Sequence, residues 1–360
     1  MGNHKESISI FTSTGVQQLT TTEYNKAITT LRPDIAIAMA DLNYDITPTS
    51  SKRSVRMAER SEDWMSQLSR TLPSEALQEA GVSIFAPTLP VSHEIQWQYL
   101  NILSELSSTL SGLAVFDKAI LPSLTDYPSL LPLPRLSLSP VSNPHAILSD
   151  ISSGVDLFLL PFVNAVSEAG VALTFSFPPP PAQDSPRPLG VDLSLAEHTA
   201  SFTPLAEGCS CYACTSHHRA FVRHLLDARE MLAWTLLQIH NHAIMKAFFA
   251  GVRTAMQDGT FDAVRDEFGR AYESQLPVGE GERPRQRGYH IKSQGGDNKI
   301  NQPAWGRLEE KVATAKGPQG ANAGDSMQID AEMPVAPQGD AGEGDQKGVT
   351  EVVGERDGVS

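Results

Sequence analysis

The stretch 208-GCSCYACTSHHRAF-221 holds all three cysteines of a 360-residue chain, at positions 209, 211 and 214. Thiols this close either pair with one another or share a metal, and a disulfide across one or two intervening residues closes a strained loop. Coordination fits better, and a tetrahedral zinc ion asks for one further ligand. His217 and His218 stand too near Cys214 for the start of a helix to present them. The sequence 227-DARE-230 has the Asp-x-x-Glu form of a capping box, so a first helix from about Ser216 to Leu226 would give way to a second. The first helix would be roughly 16 Å long at a rise of 1.5 Å per residue. If the second returns antiparallel, His240 comes level with the cysteines; an unbroken helix would leave it about 39 Å away. The expected ligand set is Cys209, Cys211, Cys214 and His240, closed around one Zn2+. Free buried thiols are the alternative, and His224 and His242 read as ordinary surface or core side chains.

Elsewhere short β-rich runs alternate with helical patterns: 35-IAIAMAD-41, 82-VSIFAP-87, 112-GLAVF-116, 134-PRLSLS-139 and 155-VDLFLLP-161. That rhythm predicts βα units around a parallel sheet. In 143-NPHAILSDISSG-154, Asn143 suits a cap, Pro144 the first helical position and Gly154 the residue past the end, so a strand should follow. A proline-rich loop, 178-PPPPAQDSPRP-188, precedes the cysteines, and a long helical region follows them to about Phe268.

The 42 acidic against 28 basic side chains give a net charge of −14, which argues against a protein that grips nucleic acid through its overall charge. No run of about 18 apolar residues offers a membrane span, so direct insertion into a membrane is not expected. The start MGNHKES lacks the basic-then-apolar order of a signal peptide, and with an odd cysteine count a cytoplasmic setting is expected. From 276 onward the pattern dissolves into a low-complexity acidic segment read as a largely disordered tail. The expected division is 1–205, a (β/α) part; 206–275, a metal-binding helical part with closing helices; and 276–360, the tail.

The spacing C-x-C-x2-C-x25-H, in 209-CSCYACTSHHRAFVRHLLDAREMLAWTLLQIHN-241, resembles the zinc segment of the tRNA-guanine transglycosylases. Other stretches are similar too: 134-PRLSLSPVSNPHAILSDISSGVDLF-158, 112-GLAV-115, 36-AIAMAD-41 and the basic helix 52-KRSVRMAER-60. The likeness covers roughly residues 8–275. It implies a TIM-type (β/α)8 barrel, here lacking about three N-terminal strands, with an inserted zinc-binding subdomain. It also implies exchange of guanine for another base at the wobble position of certain tRNAs. The eukaryotic form uses queuine and pairs a catalytic subunit with a related accessory subunit.

Several departures bear on which subunit this chain resembles. The family's aspartate nucleophile ends the last barrel strand, where 154-GVDLFL-159 places Leu159. Asp156 is an odd number of residues away and faces the other side of a strand. No arginine occurs in 161-PFVNAVSEAG-170, and Ala86, Pro87 and Thr88 replace a Gln-Gly-Gly. The resemblance thus implies a non-catalytic accessory subunit, with no catalytic residue of its own, in a heterodimer with the catalytic subunit and reaching tRNA through the complex. Asp41 matches a base-recognising aspartate and is a candidate base-pocket remnant, its alternative being a strand-end cap. Arg219 and Arg223 are candidate tRNA contacts, their alternative being a solvated helix face. Two other readings stay open: a zinc-stabilised scaffold no longer engaged in tRNA modification, and a weak independent transglycosylase using Asp156 or Glu168. Peripheral placement at the mitochondrial outer membrane is among what the resemblance allows.

Overall fold

Four of the five apolar runs become strands, each shorter than its run, and the fifth is reduced to a single bridge. The computed structural model describes residues 3–42, 50–181, 183, 185–281 and 283–284. A hairpin comes first, β1 (Ser7–Thr12) with β2 (Gly15–Thr20). Helix α1 (Thr21–Leu31) follows, opened by a full capping box between Thr20 and Glu23. Strand β3 (Ile35–Ile37) leads to α2 (Ser51–Thr71) and α3 (Ser74–Ala80). Helix α2 buries Ser54, Met57, Ala58, Ser61, Trp64, Met65 and Leu68, the spacing of one helical face. Then come β4 (Ser83–Pro87), α4 (His93–Glu105), β5 (Gly112–Val115) and β6 (Arg135–Ser137).

β3, β4, β5 and β6 form one parallel sheet in chain order, the outcome of successive crossover connections. At Gly112 a Cβ would lie 2.3 Å from the Phe85 ring on the neighbouring strand, so the packing there requires glycine. Helix α5 (Pro144–Ser152) has the caps its sequence predicts: the Asn143 side chain accepts from Ala146 N, and Gly154 takes φ 92° beyond the end. The next segment runs beside β6, bridging Leu157 to Leu136, and Ser137 N donates to Leu157 O at 2.9 Å. It goes no further as a strand because Pro161 has no N–H for a ladder and opens α6 (Pro161–Glu168).

β7 (Val171–Leu173) and β8 (Gly190–Asp192) make an antiparallel pair, after which come α7 (Tyr212–Ser216), α8 (Arg219–Asp227), α9 (Met231–Gln257) and α10 (Phe261–Ala271). The long helical region therefore breaks at Gly259, which adopts φ 68°. Three apolar cores result. One lies between the sheet and α2 to α4, a second joins α5, α6, β7, α9 and α10, and a third fills the cysteine-bearing module. Among the described residues the parallel sheet has four strands and does not close on itself, so the class is α/β with a parallel sheet, short of the expected barrel. Packed chain continues past 276, with Leu276 in the second core and Glu280 bonded to Asp192; residues of the expected tail from 285 onward lie outside the described residues. No described helix is long and apolar enough to cross a membrane.

Candidate metal centre

The cysteines arrive by way of a loop that Gly208 turns through φ 73°, a left-handed conformation. Cys211 occupies the N-cap of α7, and Cys214 N donates back to Cys211 O at 3.1 Å, so the two sulfurs sit one turn apart. α8 leads away, α9 returns, and the turn between them is made by Arg229 at φ 56°. The capping box expected at Asp227 and Glu230 does not form. Glu230 holds the N-cap of α9 without a side-chain bond, while the Asp227 carboxylate accepts from Arg223 of α8 at 3.4 Å. The left-handed residue already sets the reversal, and the carboxylate is free to pair within its own helix.

The hairpin brings all four expected ligands together. His240 Nδ1 lies 3.7, 3.6 and 3.3 Å from the sulfurs of Cys209, Cys211 and Cys214. Metal–sulfur bonds of about 2.3 Å and metal–nitrogen bonds of about 2.0–2.1 Å at a tetrahedral angle would separate sulfur from nitrogen by about 3.6 Å. The four ligand atoms lie within 4.8 Å of one another. The sulfur–nitrogen spacing is thus that expected of ligands to one metal ion.

The imidazole is set in one orientation. Its other nitrogen, Nε2, is 2.8 Å from Leu173 O, and a carbonyl can only accept, so Nε2 carries the hydrogen and Nδ1 turns its lone pair on the sulfurs. Burial holds His240 below the usual imidazole range, which keeps that lone pair available. Burial also raises the Cys209 thiol and pushes Cys214 up to about 12. A neutral imidazole offers no charge to offset three thiolates, whereas a divalent cation at the centre does. The donor set therefore fits a metal ion.

One residue on, Asn241 completes the attachment of α9 to the hairpin. Its Oδ1 accepts from Leu173 N at 2.8 Å, and its Nδ2 donates to Ser167 Oγ at 2.8 Å and Val171 O at 3.0 Å. Both main-chain groups of Leu173 are thereby held by two consecutive residues of α9. The sequence gives little sign of this role, since an asparagine beside a histidine has no diagnostic spacing. Cys209 and Cys211, half-buried, line a cleft of about 720 Å³ that also touches Arg187, Arg219, Ile244 and Tyr272.

Arg219 and Arg223, the candidate phosphate contacts, are engaged inside the module. Arg219 donates from Nε to Pro204 O and from Nη2 to Leu205 O, both at 3.0 Å, pinning the loop that leads to Cys209. Arg223 donates from Nε to Leu195 O at 2.9 Å and from Nη1 to Thr199 Oγ1 at 3.1 Å. Carbonyls in that irregular loop have no ladder partners, and the α8 guanidiniums supply their donors.

Asp41, the candidate base-pocket residue, is fully buried and saturated. Arg53 binds both oxygens at 2.5 Å, Arg60 donates at 2.9 Å and Asn3 at 2.6 Å. Burial opposes its charge, but the hydrogen bonds from Arg53, Asn3 and Arg60 outweigh it and hold the carboxyl below its usual range. Leu159 is 44% exposed, and the Asp156 carboxylate accepts from Arg135 N at 2.9 Å.

Comparison with known proteins agrees with the cysteine spacing. A family model described as queuine tRNA-ribosyltransferase matches residues 2–274. The chain is 36% identical over 322 residues to the queuine tRNA-ribosyltransferase accessory subunit 2 of Schizosaccharomyces pombe, an alignment covering 85% of this chain and 70% of that protein. It is 28% identical to the proteins of the same name from Xenopus laevis and Drosophila grimshawi, covering 73% and 71% of this chain and 72% and 63% of those proteins. The chain thus spans about two thirds of the length of these relatives. A match over most of the chain, together with a Cys3His cluster of metal-binding size, makes it a member of the queuine tRNA-ribosyltransferase family.

Proposed function

We propose that this chain is the non-catalytic accessory subunit of a heterodimeric queuine tRNA-ribosyltransferase, a cytoplasmic complex that exchanges guanine for queuine at the tRNA wobble position. The observation that carries the reading is the 36% identity over 85% of the chain to a protein named as that subunit. Leu159 supports it: at the position of the family's nucleophile stands an alkyl side chain with no lone pair to attack a ribose carbon. Asp41 supports it as well, because a carboxylate saturated by two arginines and an amide has no oxygen left for a base. The parallel order β3-β4-β5-β6, following the chain and continued at Leu157, supports the barrel part of this reading, since the strands of a (β/α)8 barrel follow one another in chain order.

The metal is zinc in this reading. Three soft thiolates with one imidazole, all from protein, suit Zn2+ in a closed structural site with no position for substrate. Its work would be to hold the module as a docking surface for the catalytic subunit. Around the metal loop Tyr212 packs edge-on to His217, which stacks on Phe221, and Tyr212 and Phe202 are 59% and 76% exposed. Rings presented on a rigid module are the kind of anchor protein interfaces favour. Arg219 and Arg223 enter this reading through the loop they hold in place.

The test is queuine-for-guanine exchange measured for this chain, for a catalytic subunit, and for both together. Activity, or a several-fold increase in it, that requires both is the expected result. Exchange by this chain alone would establish an independent enzyme, and absence of any stimulation or binding would leave a zinc-stabilised scaffold. Metal analysis should return one zinc per chain; another metal at that stoichiometry would overturn the zinc assignment.

A further inference from the structure

The cleft beside the metal loop lies between two walls that run together. One is α9, where His240 meets the cysteine sulfurs and Gly251 comes so near Phe177 that a Cβ would lie 1.8 Å from the Phe177 carbonyl oxygen. From 240 to 251 is roughly 16 Å of helix at 1.5 Å per residue. The other wall continues β7 from Leu173, whose carbonyl bonds His240, to Phe177, roughly 13 Å of extended chain. The space between, about 720 Å³, has the size of a site for a small organic molecule. Phe175, Ile244 and the short side chains of Ala243 and Ala247 give it an apolar body.

Arg187 and Tyr272 enter that space together. They pair as a parallel bridge, with Arg187 N donating to Ala271 O at 2.8 Å and Glu273 N to Arg187 O at 2.9 Å, so their side chains leave the same face. Tyr272 is 3% exposed, and its hydroxyl oxygen accepts from Ser176 N at 3.1 Å. Among the described residues its hydroxyl hydrogen meets no acceptor, although a phenol both donates and accepts. The half-buried Arg187 donates only from Nη1, to Pro180 O at 3.4 Å, and pairs with no acid among the described residues. Its Nε and Nη2, the edge that a carboxylate bridges with two parallel bonds, are unspent there. Toward the metal loop the balance differs, because Arg219 is held by the Pro204 and Leu205 carbonyls while Glu207 and the cysteines bring negative charge. That end disfavours a second negative charge on anything bound, and one charge is what Arg187 can match.

We propose that the cleft binds a small organic monoacid, its carboxylate bridged side-on by Arg187 with a further hydrogen bond from the Tyr272 hydroxyl, and its aryl or branched-alkyl body lying between Phe175 and Ala247. Two donors from Arg187 and one from Tyr272 fix the head, and the apolar walls take the rest, the division of labour usual in small-molecule sites. An acid seated there ties the bridge between Arg187 and Tyr272 to α9. The site needs neither the subunit role proposed above nor the identity of the metal.

The experiment titrates the full, metal-loaded chain with 4-phenylbutyrate, with the neutral 4-phenylbutyramide and with inorganic phosphate, following calorimetry and saturation-transfer NMR. The acid should bind with a Kd of about 2 mM or tighter, the level that roughly a dozen non-hydrogen atoms support. The amide and phosphate should each bind roughly tenfold more weakly or worse, since one lacks the charge and the other the apolar body. Arg187→Gln should weaken the acid roughly tenfold or more and leave the amide unchanged, while Tyr272→Phe should weaken it about threefold to tenfold. Ala247→Trp leaves both donors in place and fills the body of the cleft, so it should abolish binding with metal content intact; it decides the matter if Arg187→Gln fails to fold. Acid and amide binding alike, phosphate binding more tightly than the acid, or an affinity for the acid that survives both Arg187→Gln and Ala247→Trp would overturn the site. So would metal released in step with the acid added, which would place the carboxylate on the metal and not on Arg187.

Discussion

The metal module and the parallel sheet treat their polar groups in opposite ways. In the module, residues 209–240 supply all four donors, and the second nitrogen of His240 is satisfied by Leu173. The sheet is open. Leu157 and Leu159 stand 38% and 44% exposed on the segment beside β6, and Asp41 at the end of the β3 run meets arginines from one helix. A site whose ligands come from one hairpin holds its geometry locally, whereas a sheet needs neighbours on both sides. The module should therefore tolerate damage to the sheet better than the sheet tolerates damage to its surroundings.

The largest effect that could break this comparison is loss of a ligand. Cys214→Ser removes the most buried sulfur, and because structural zinc binding contributes about 10–16 kcal/mol of apparent free energy, the module should lose metal and unfold. Metal analysis and hydrogen exchange over 206–257 would register this, with β3 to β6 staying protected. Full occupancy in the variant would contradict the ligand set. If the sheet loses protection too, the two regions are one cooperative unit and the contrast fails.

Next in size is Asn241→Ala. It deletes three buried hydrogen bonds and strands Leu173 N–H and Val171 O, which should cost about 2–4 kcal/mol. Denaturant unfolding would give that number, and metal content should stay near that of the native chain, separating attachment of α9 from coordination. A variant that is less stable and also metal-free would mean that Asn241 helps to hold His240 in place.

How much of this was legible follows from how local each feature is. The ligands could be read because three lie within six residues and the fourth is one hairpin away, so helix geometry reaches it. The Asn241 attachment could not, since its partners Ser167, Val171 and Leu173 lie some 70 residues back and two of the three partners include main-chain groups, which sequence does not distinguish. That these runs make a parallel sheet was legible from the βα rhythm and strand ends were not, because the ladder stops where a proline or a change of neighbour stops it. Arg53 and Arg60 did leave a signal: two helical turns apart, they share a face, and a buried acid opposite that face was the missing premise. Arg219 and Arg223 read as surface charge because nothing in sequence shows that the 195–205 loop lacks donors.

Asp41→Asn sharpens the sheet side of the comparison. The carboxyl is held below its usual range in the fold, so it contributes stability that is complete above its unfolded value, about 3.9, and is lost as pH falls through the folded value. Asparagine removes the charge that holds two partly exposed arginines, and should cost about 1–3 kcal/mol at pH 7. Unfolding of both proteins at neutral and acidic pH should show the difference shrinking as pH falls below about 4. A difference that stays constant would mean that packing around the side chain, and not its charge, anchors α2.

The smallest expected effect is at residues 277–281, a clasp whose Glu280 N donates to Asp192, where Gly279→Ala tests whether the end of the described chain belongs to the module or only rests on it. A Cβ there would sit 2.1 Å from Ala169 O, a backbone atom that cannot turn aside. Forced to stay, the segment would incur about 1–3 kcal/mol of overpacking. It has another course, since residues 277–281 can lift away at the loss of little more than the bond from Glu280 N to Asp192 and the water it excludes, near 1 kcal/mol. The cheaper course sets the ceiling, so global stability should drop by about 1 kcal/mol or less while amides around Glu280 lose exchange protection. A loss well above that ceiling would show that the clasp is cooperative with α6 and β8, and that the module's boundary runs through Gly281 and not through the end of α10.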